Sequence, residues 1–297
     1  MNQTKPFHLL LASLLLAFVS SPLYAEAGWP RIVQSADGVP ISYEVHGSGE
    51  PTLVFVHGWS CDGRYWREQV PHFAANHRVI VIDLAGHGHS GMGRERYSMA
   101  AFGEDVRAVV AAKGAGQVIL IGHSMGGPVS VAAAQRMPEQ VIGIVGVDTF
   151  QSTFVDISEE QASGMVAPLR ADFAGGAVEF VRAMFVDATD VALRDWVVAD
   201  MAAAPPEVAL SAMEQLLGDA VSGDARTAAA ALEVPIVAIN ADLYPTDVET
   251  NRRHMHAFDA VILEGTDHFL HMAEPEWFNR ELEAVIANMV KARAAAD

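Results

Sequence analysis

The fold of this chain is decided by one short stretch, which reads Ile119-Leu120-Ile121-Gly122-His123-Ser124-Met125-Gly126-Gly127-Pro128. It opens with an apolar, β-branched run typical of a buried strand, and residues 129–135 form a run suited to a helix. Between strand and helix lies the pattern G-x-S-x-G. A direct strand-to-helix turn strains the central residue and brings its neighbours close together, which favours glycine at positions 122 and 126. The stretch therefore predicts a sharp turn that exposes the Ser124 hydroxyl at the start of a helix.

Short runs that are apolar on both faces recur on either side of this turn. They cover residues 53–56, 79–82, 118–121, 141–145, 236–239 and 261–263. Strands buried on both faces belong to parallel sheets covered by helices. Residues 31–45 instead favour an antiparallel hairpin that turns at Asp37-Gly38. The alternation of such runs with helical segments predicts an α/β fold with a mostly parallel, doubly wound sheet.

The alternation is interrupted by a helical segment that has no apolar β run. A capping box at residues 158–161 opens its first helix, and Gly175-Gly176 and Pro205-Pro206 are expected to separate the helices that follow. The predicted organisation is a first core part at residues 26–150, a helical cap at 151–232 and a second core part at 233–297. Apolar cap side chains are candidates for lining a pocket or for packing: Met165, Met184, Met201, Met213, Phe180, Phe185 and Trp196.

Residues 1–25 predict a signal peptide for export. Lys5 supplies the positive charge before an apolar segment at residues 9–19, and cleavage is expected after Ala25 or Ala27. The apolar segment is shorter than the ~20 residues that span a bilayer, so no stable membrane insertion is expected after cleavage. We expect the mature protein to be periplasmic or secreted.

Charge and cysteine content argue against several classes of function. The formal net charge is −18, and Lys and Arg form no cluster, which argues against nucleic acid as a partner. The single cysteine, Cys61, can form neither an internal disulfide nor a thiolate metal cluster. Closely spaced histidines such as His87 and His89 lack the partners of a zinc site. We therefore expect neither a metal nor a cofactor.

A serine hydroxyl becomes a good nucleophile only beside a base that a third group holds in place. His268 is the candidate base, because it lies in the segment Gly265-Thr266-Asp267-His268 directly after the last predicted strand. The carboxyl ends of parallel strands meet at one edge of a sheet, so the loops there can bring His268 to Ser124. Ser124 and His268 are the predicted nucleophile and base.

At these motifs the chain resembles the α/β-hydrolase superfamily. The matching segments are His57-Gly58-Trp59, Asp83-Leu84-Ala85-Gly86-His87-Gly88-His89-Ser90, the turn at residues 122–127, and Gly265-Thr266-Asp267-His268. The resemblance implies an oxyanion hole formed by the backbone N–H groups of Trp59 and Met125. It also implies acyl transfer, because relatives such as epoxide hydrolases and haloalkane dehalogenases carry aspartate where this chain has Ser124.

The acid of the predicted triad has more than one candidate. The resemblance implies an aspartate after the strand that follows the cap, where this chain has Asp242 at a spacing one residue shorter than is common. Asp242 is therefore the preferred acid. Asp148, at the end of the strand before the cap, is the alternative because some relatives carry the acid there, and Asp247 is the third candidate.

Together these residues predict an exported serine hydrolase that cleaves carboxylic esters of small molecules through an acyl-enzyme. A lactonase, a C–C-bond hydrolase or a cofactor-free perhydrolase would use the same residues. A ligand-binding receptor on a hydrolase scaffold is the alternative from a different class. The oligomeric state and the choice between open-chain ester and lactone stay open at this point.

Overall fold

The computed structural model describes residue 1 and residues 30–296. The predicted signal peptide, apart from Met1, and its cleavage sites at Ala25 and Ala27 lie outside the described residues. In the part of the chain that the structure describes, no helix is both long enough and apolar enough to cross a membrane.

An eight-stranded sheet forms the centre of the fold. Its strands are β1 (Arg31–Gln34), β2 (Pro40–His46), β3 (Thr52–Val56), β4 (Val79–Ile82), β5 (Val118–His123), β6 (Val141–Val147), β7 (Ile236–Ala241) and β8 (Phe258–Leu263). Their order across the sheet is β1-β2-β4-β3-β5-β6-β7-β8. The pairs β1–β2 and β2–β4 are antiparallel, and the pairs from β4 across to β8 are parallel. The predicted α/β fold with a mostly parallel sheet is confirmed.

Helices cover both faces of this sheet. They are α1 (Val70–Phe73), α2 (Met99–Lys113), α3 (Gly126–Arg136), α4 (Glu159–Ala171), α5 (Phe173–Arg182), α6 (Val191–Ala202), α7 (Pro206–Ser222), α8 (Asp224–Ala230), α9 (Val248–His254), α10 (Leu270–Ala273) and α11 (Pro275–Ala296), with a 3-10 helix at Gly63–Trp66. Helices α4 to α8 lie between β6 and β7, within the span where the sequence predicts a cap. We call these five helices and their connections the cap.

The apolar runs form strands that are buried on both faces, as their composition requires. In β5, Val118 and Leu120 pack on one side of the sheet, while Ile119 and Ile121 pack on the other. The first side also contains apolar residues of α2, α3 and the cap, and the second contains those of α11. The carboxyl ends of the parallel strands therefore open between two packed layers, directly under the cap.

Helix boundaries follow local capping residues. The Ser98 hydroxyl accepts a hydrogen bond of 3.2 Å from the Ala101 N–H at the start of α2, and the helix ends at Gly114 with φ of 56°. At α4, Ser158 and Gln161 form the predicted capping box, with each side chain accepting from the other residue's backbone N–H. Local sequence signals thus set both ends of α2 and the start of the cap.

The glycine pair in the cap differs from the expectation that it separates helices. Gly175-Gly176 lies inside α5, in its first turn. A Cβ atom on Gly176 would lie 2.8 Å from the backbone carbonyl of Pro168, so glycine here lets α5 approach the backbone of α4. The proline pair does mark a boundary, because α7 begins at Pro206, where a missing N–H costs no helical hydrogen bond.

Candidate active site

The turn after β5 has the steric requirements of its sequence pattern. Ser124 has φ of 51°, in the left-handed region that most residues avoid. A Cβ atom on Gly122 would lie 2.2 Å from the carbonyl oxygen of Gly126, and one on Gly126 would lie 2.4 Å from that of Val56. These contacts are with backbone atoms that cannot move aside, so both positions require glycine. The tight turn then places Ser124 just before the start of α3.

The imidazole of His268 is held by a buried carboxylate. His268 lies between β8 and α10, and its Nδ1 is 2.5 Å from Oδ2 of Asp148. The other carboxylate oxygen of Asp148 accepts a hydrogen bond of 2.9 Å from the Ala241 N–H at the end of β7. A carboxylate can only accept, so Nδ1 carries the proton and Nε2 keeps a lone pair. Asp148 therefore fixes both the ring and its tautomer.

The structure does not bring the preferred acid, Asp242, to His268. Its Oδ1 accepts from the Gly265 N–H at 2.8 Å, in an exposed position that tethers the loop carrying His268. Asp247, the third candidate, is instead the N-cap of α9, where its side chain accepts a hydrogen bond from the Thr250 N–H. The alternative, Asp148, reaches the imidazole because its φ of 45° turns the chain sharply as it leaves β6. The carboxylate on the imidazole is thus that of Asp148, the alternative candidate, and not that of the preferred Asp242.

A second histidine holds the backbone of His268, which the sequence reasoning missed. Nε2 of His123, the residue before Ser124, donates a hydrogen bond of 2.9 Å to the carbonyl oxygen of His268. The two rings lie 4.7 Å apart between centroids. His123 is one of the two variable residues of the G-x-S-x-G pattern, so the motif carries no signal for its role. The nucleophile's turn and the base's loop are nevertheless joined through it.

Buried imidazoles are kept neutral, including His271, whose ring lies 4.6 Å from that of His123 between centroids. Desolvation is the largest cause that lowers the pKa of His271 to about 3, and the neighbouring His268 adds to it. Desolvation likewise lowers the pKa of His87 to about 3 and that of His123 well below its usual value. Among the described residues, no group of three or more His, Cys, Asp or Glu side chains is arranged to hold a metal ion.

Of the two predicted oxyanion-hole residues, Met125 directly follows Ser124, and Trp59 directly follows Gly58, which packs against Ser124. Met125 is the N-cap of α3, and the first N–H groups of a helix have no partner within it. The backbone at Gly58, next to Trp59, packs against the nucleophile, since a Cβ there would lie 3.2 Å from Cβ of Ser124. The indole of Trp59 donates a hydrogen bond of 2.7 Å to the Ala209 carbonyl of α7, which ties this loop to the cap.

The cap also contacts the loop of His268 directly. The His268 N–H donates to the carbonyl of Met184, after α5, at 3.2 Å. The hydroxyl of Thr189, before α6, donates to the buried carboxylate of Asp267, and burial raises the pKa of that carboxyl. These contacts join distant segments, and no sequence pattern marks them. The position of His268 depends on the cap as well as on the sheet.

Ser124 and His268 line the same cavity. It has a volume of 460 Å³ and is also lined by Met125, Asp148, Met184 and Tyr244, among others. This volume lies within the range typical of small-molecule sites. We call it the reaction cavity. The structure therefore brings together Ser124, His268, Asp148 and the start of α3 around one space.

The apolar cap residues divide between lining and packing. Met184 lines the reaction cavity and Met165 a neighbouring one, while Met201 and Met213 are buried in the core. The aromatic residues pack in pairs: Phe180 with Trp59, Phe185 with Phe269, and Trp196 with Tyr65. Most of these side chains thus hold the cap on the sheet layer.

Comparisons with known proteins agree with this architecture. A family model described as the α/β-hydrolase fold matches residues 51–182. In structure, the chain is similar to a thermophilic esterase from Thermogutta terrifontis, with a TM-score of 0.76, 22% identity, and coverage of 88% of this chain and 99% of that one. The chain has the α/β-hydrolase fold, and residues 51–182 match the model of that family. At 22% identity, the esterase structure supports the fold of this chain.

The chain also matches curated proteins in sequence. It is 33% identical over 132 residues to the pimeloyl-(acyl-carrier protein) methyl ester esterase of Edwardsiella ictaluri (strain 93-146), covering 43% of this chain and 49% of that protein. A further similar structure is described as Est816, an N-acyl homoserine lactone degrading enzyme, with a TM-score of 0.72, 23% identity, and coverage of 86% and 99%. The chain spans about half the length or less of the first curated relatives it matches.

The buried histidines predict a loss of stability in acid. His271 has a pKa of about 3 in the folded chain and an ordinary value of 6.5, so between these values the unfolded chain binds a proton that the folded chain does not. The free energy of unfolding therefore falls as the pH falls, by up to about 1.4 kcal/mol per pH unit for this residue. We expect His271→Phe to flatten that slope, measured by urea unfolding at several values from about pH 6.5 to about pH 4.

The matched control for this prediction is His256→Phe. His256 is exposed in the folded chain, as it is in the unfolded chain, so its replacement should leave the slope unchanged. Equal slopes for wild type and His271→Phe would contradict the assignment of His271 as a buried neutral imidazole.

Proposed function

We propose that this α/β hydrolase cleaves carboxylic esters with Ser124 as nucleophile, His268 as base and Asp148 as the acid that orients it. The observation that carries the proposal is the placement of Ser124 and His268 around one cavity, with the Asp148 carboxylate on Nδ1 of His268. A serine next to an imidazole held in this tautomer is the arrangement that activates a hydroxyl for attack on a carbonyl.

The first half of the proposed reaction forms the acyl-enzyme. Oγ of Ser124 bonds to the ester carbonyl carbon while Nε2 of His268 accepts its proton. The electron pair moves to the carbonyl oxygen, and the backbone N–H groups of Met125 and Trp59 stabilise that negative charge. Asp148 stabilises the imidazolium that results. His268 then gives the proton to the alcohol oxygen as the carbon–oxygen bond breaks.

The second half releases the acid with water as co-substrate. His268 takes a proton from water as the water oxygen attacks the acyl carbon, and returns it to Oγ of Ser124 as the acyl bond breaks. The balance needs no oxidant, metal or cofactor. The same steps would open a lactone ring, in which the alcohol stays attached to the acid, so lactones belong in the panel of test substrates together with open-chain esters.

We further propose that the protein is exported to the periplasm or beyond, as the composition of residues 1–25 supports. Expression in a bacterium that has a periplasm should give a shortened chain that begins at Glu26 or Gly28. Mass spectrometry of the protein from the periplasm and the medium measures the length of this chain. A full-length chain that still begins with Met1 and stays with the cytoplasm would contradict export.

Turnover of a short chromogenic ester tests the hydrolytic function. We expect wild type to release many equivalents of alcohol per chain, and Ser124→Ala to lose about 10³-fold or more of kcat. The control is Ser163→Ala, which removes an exposed hydroxyl on α4 and should leave kcat unchanged. Release of a single equivalent, followed by a stable acyl adduct, would instead favour the ligand-binding receptor.

A pair of asparagine variants tests which aspartate orients His268 during the reaction. Asp148→Asn should lower kcat about 10³-fold to 10⁴-fold, because an amide can donate to Nδ1 and so favour the tautomer whose Nε2 cannot accept the serine proton. Asp242→Asn should change kcat about twofold at most, since Asp242 contacts the loop and not the imidazole. Circular dichroism checks that both variants are folded. A large loss for Asp242→Asn with near-normal turnover for Asp148→Asn would reverse the assignment.

A further inference from the structure

A second, larger cavity adjoins the reaction cavity. It has a volume of 690 Å³ and lies between α3, the segment at residues 149–157, and the cap helices α4, α7 and α8. Its walls are mostly apolar, and they include Val131, Phe150, Met165, Leu217 and Ala220. We call it the apolar groove.

The two cavities are neighbours with a common border. Pro128, Thr149, Gln151, Ser152 and Leu216 line both of them. Thr149 is held in place by reciprocal hydrogen bonds of 3.1 Å and 3.0 Å between its backbone and the side chain of Asn240. Thr149 on this border is therefore well fixed, and a molecule that extends over it would lie in both cavities.

The position of the base decides which end of an ester enters the groove. His268, Met184 and Tyr244 line the reaction cavity and not the groove. The alcohol oxygen must lie next to His268 to receive its proton, so the alcohol belongs on that side. The acyl chain then extends from Ser124 in the opposite direction, past Pro128 and Leu216.

The polar residues of the groove restrict the far end of that chain. Asp219 and Asp224 line it, and the cationic Arg136 is paired with Glu104 at 2.6 Å. The carboxylates of Asp219 and Asp224 repel an acyl chain that ends in a carboxylate, and Arg136 is already paired and does not offset this repulsion. A chain that ends in a methyl group carries no charge for these carboxylates to repel, and it contacts apolar walls.

We propose that the apolar groove is the subsite for the acyl chain, and that the preferred substrates are esters of extended, aliphatic acids with an uncharged end and a small alcohol. This proposal rests on the proposed ester hydrolysis and adds the substrate class. Each methylene buried in the groove contributes apolar burial to the transition state, which corresponds to about a threefold to fourfold gain in kcat/KM.

Two substrate series test whether the acyl chain or the alcohol occupies the apolar groove. In 4-nitrophenyl esters from acetate through butyrate and octanoate to decanoate, kcat/KM should rise by about threefold per methylene until the groove is filled. In octanoate esters of methanol, ethanol, butanol and octanol, it should stay flat or fall. A rise only in the alcohol series would overturn the acyl assignment, and two flat series would overturn the groove as a subsite.

Variants that fill the groove complete the test. Ala220→Trp should lower kcat/KM for decanoate about tenfold or more and leave acetate within about twofold. Ala225→Trp, on the neighbouring wall of α8, is the second filling variant in case the first fails to fold. Ala167→Trp, at an exposed position of α4, is the matched control and should change neither substrate. Equal loss for acetate and decanoate in both filling variants would overturn the proposal.

A charged substrate tests the end-group preference. The mono-4-nitrophenyl ester of octanedioic acid should react about tenfold more slowly than the octanoate ester, and Asp219→Asn should narrow that difference. Equal rates in wild type would overturn the preference for an uncharged end. Failure of wild type to turn over any ester, acetate included, would be a failure of the proposed hydrolytic function and is distinguishable from all the outcomes above.

Discussion

The structure depends on one steric constraint, the absence of room for side chains where β5 turns into α3. A methyl group on Gly122 or Gly126 would overlap backbone oxygens of its own turn and of β3. Because these oxygens belong to the sheet and to the helix, the clash could be relieved only by separating α3 from the sheet. The close approach of strand and helix gives Ser124 its unusual backbone angle and its place at the carboxyl edge. The rest of the site is assembled around that position.

The site is held mainly by hydrogen bonds to the backbone of a single loop. The carbonyl of His268 accepts from His123 of the sheet layer, and its N–H donates to Met184 of the cap. Asp148 holds the ring itself. The imidazole is thus fixed through three separate groups from three parts of the chain. Burial keeps the neighbouring histidines neutral, so they support the loop without placing positive charge beside His268.

Local patterns predicted the strands, the capping box of α4 and the approach of Ser124 and His268 to one edge of the sheet, because these depend on neighbours in sequence or on which edge of a sheet a loop occupies. The choice between Asp148 and Asp242 depends on something else, namely the direction in which each strand end points its carboxylate. Only the positive φ of Asp148 turns it toward His268, and no residue pattern around it encodes that angle. His123 and Thr189 were missed for a similar reason, since each acts across a distance in sequence that a motif does not span.

Because the cap contacts the His268 loop, a change of cap sequence would also affect the position of His268. One of these contacts uses a backbone carbonyl, at Met184, and the other a hydroxyl, at Thr189. A cap of another sequence would keep the backbone contact of Met184 only if its chain followed the same path. It would keep the contact of Thr189 only if it placed a hydroxyl at the same position. The walls of the reaction cavity and the position of His268 therefore depend on the same cap segments, so that an exchanged cap would change both together.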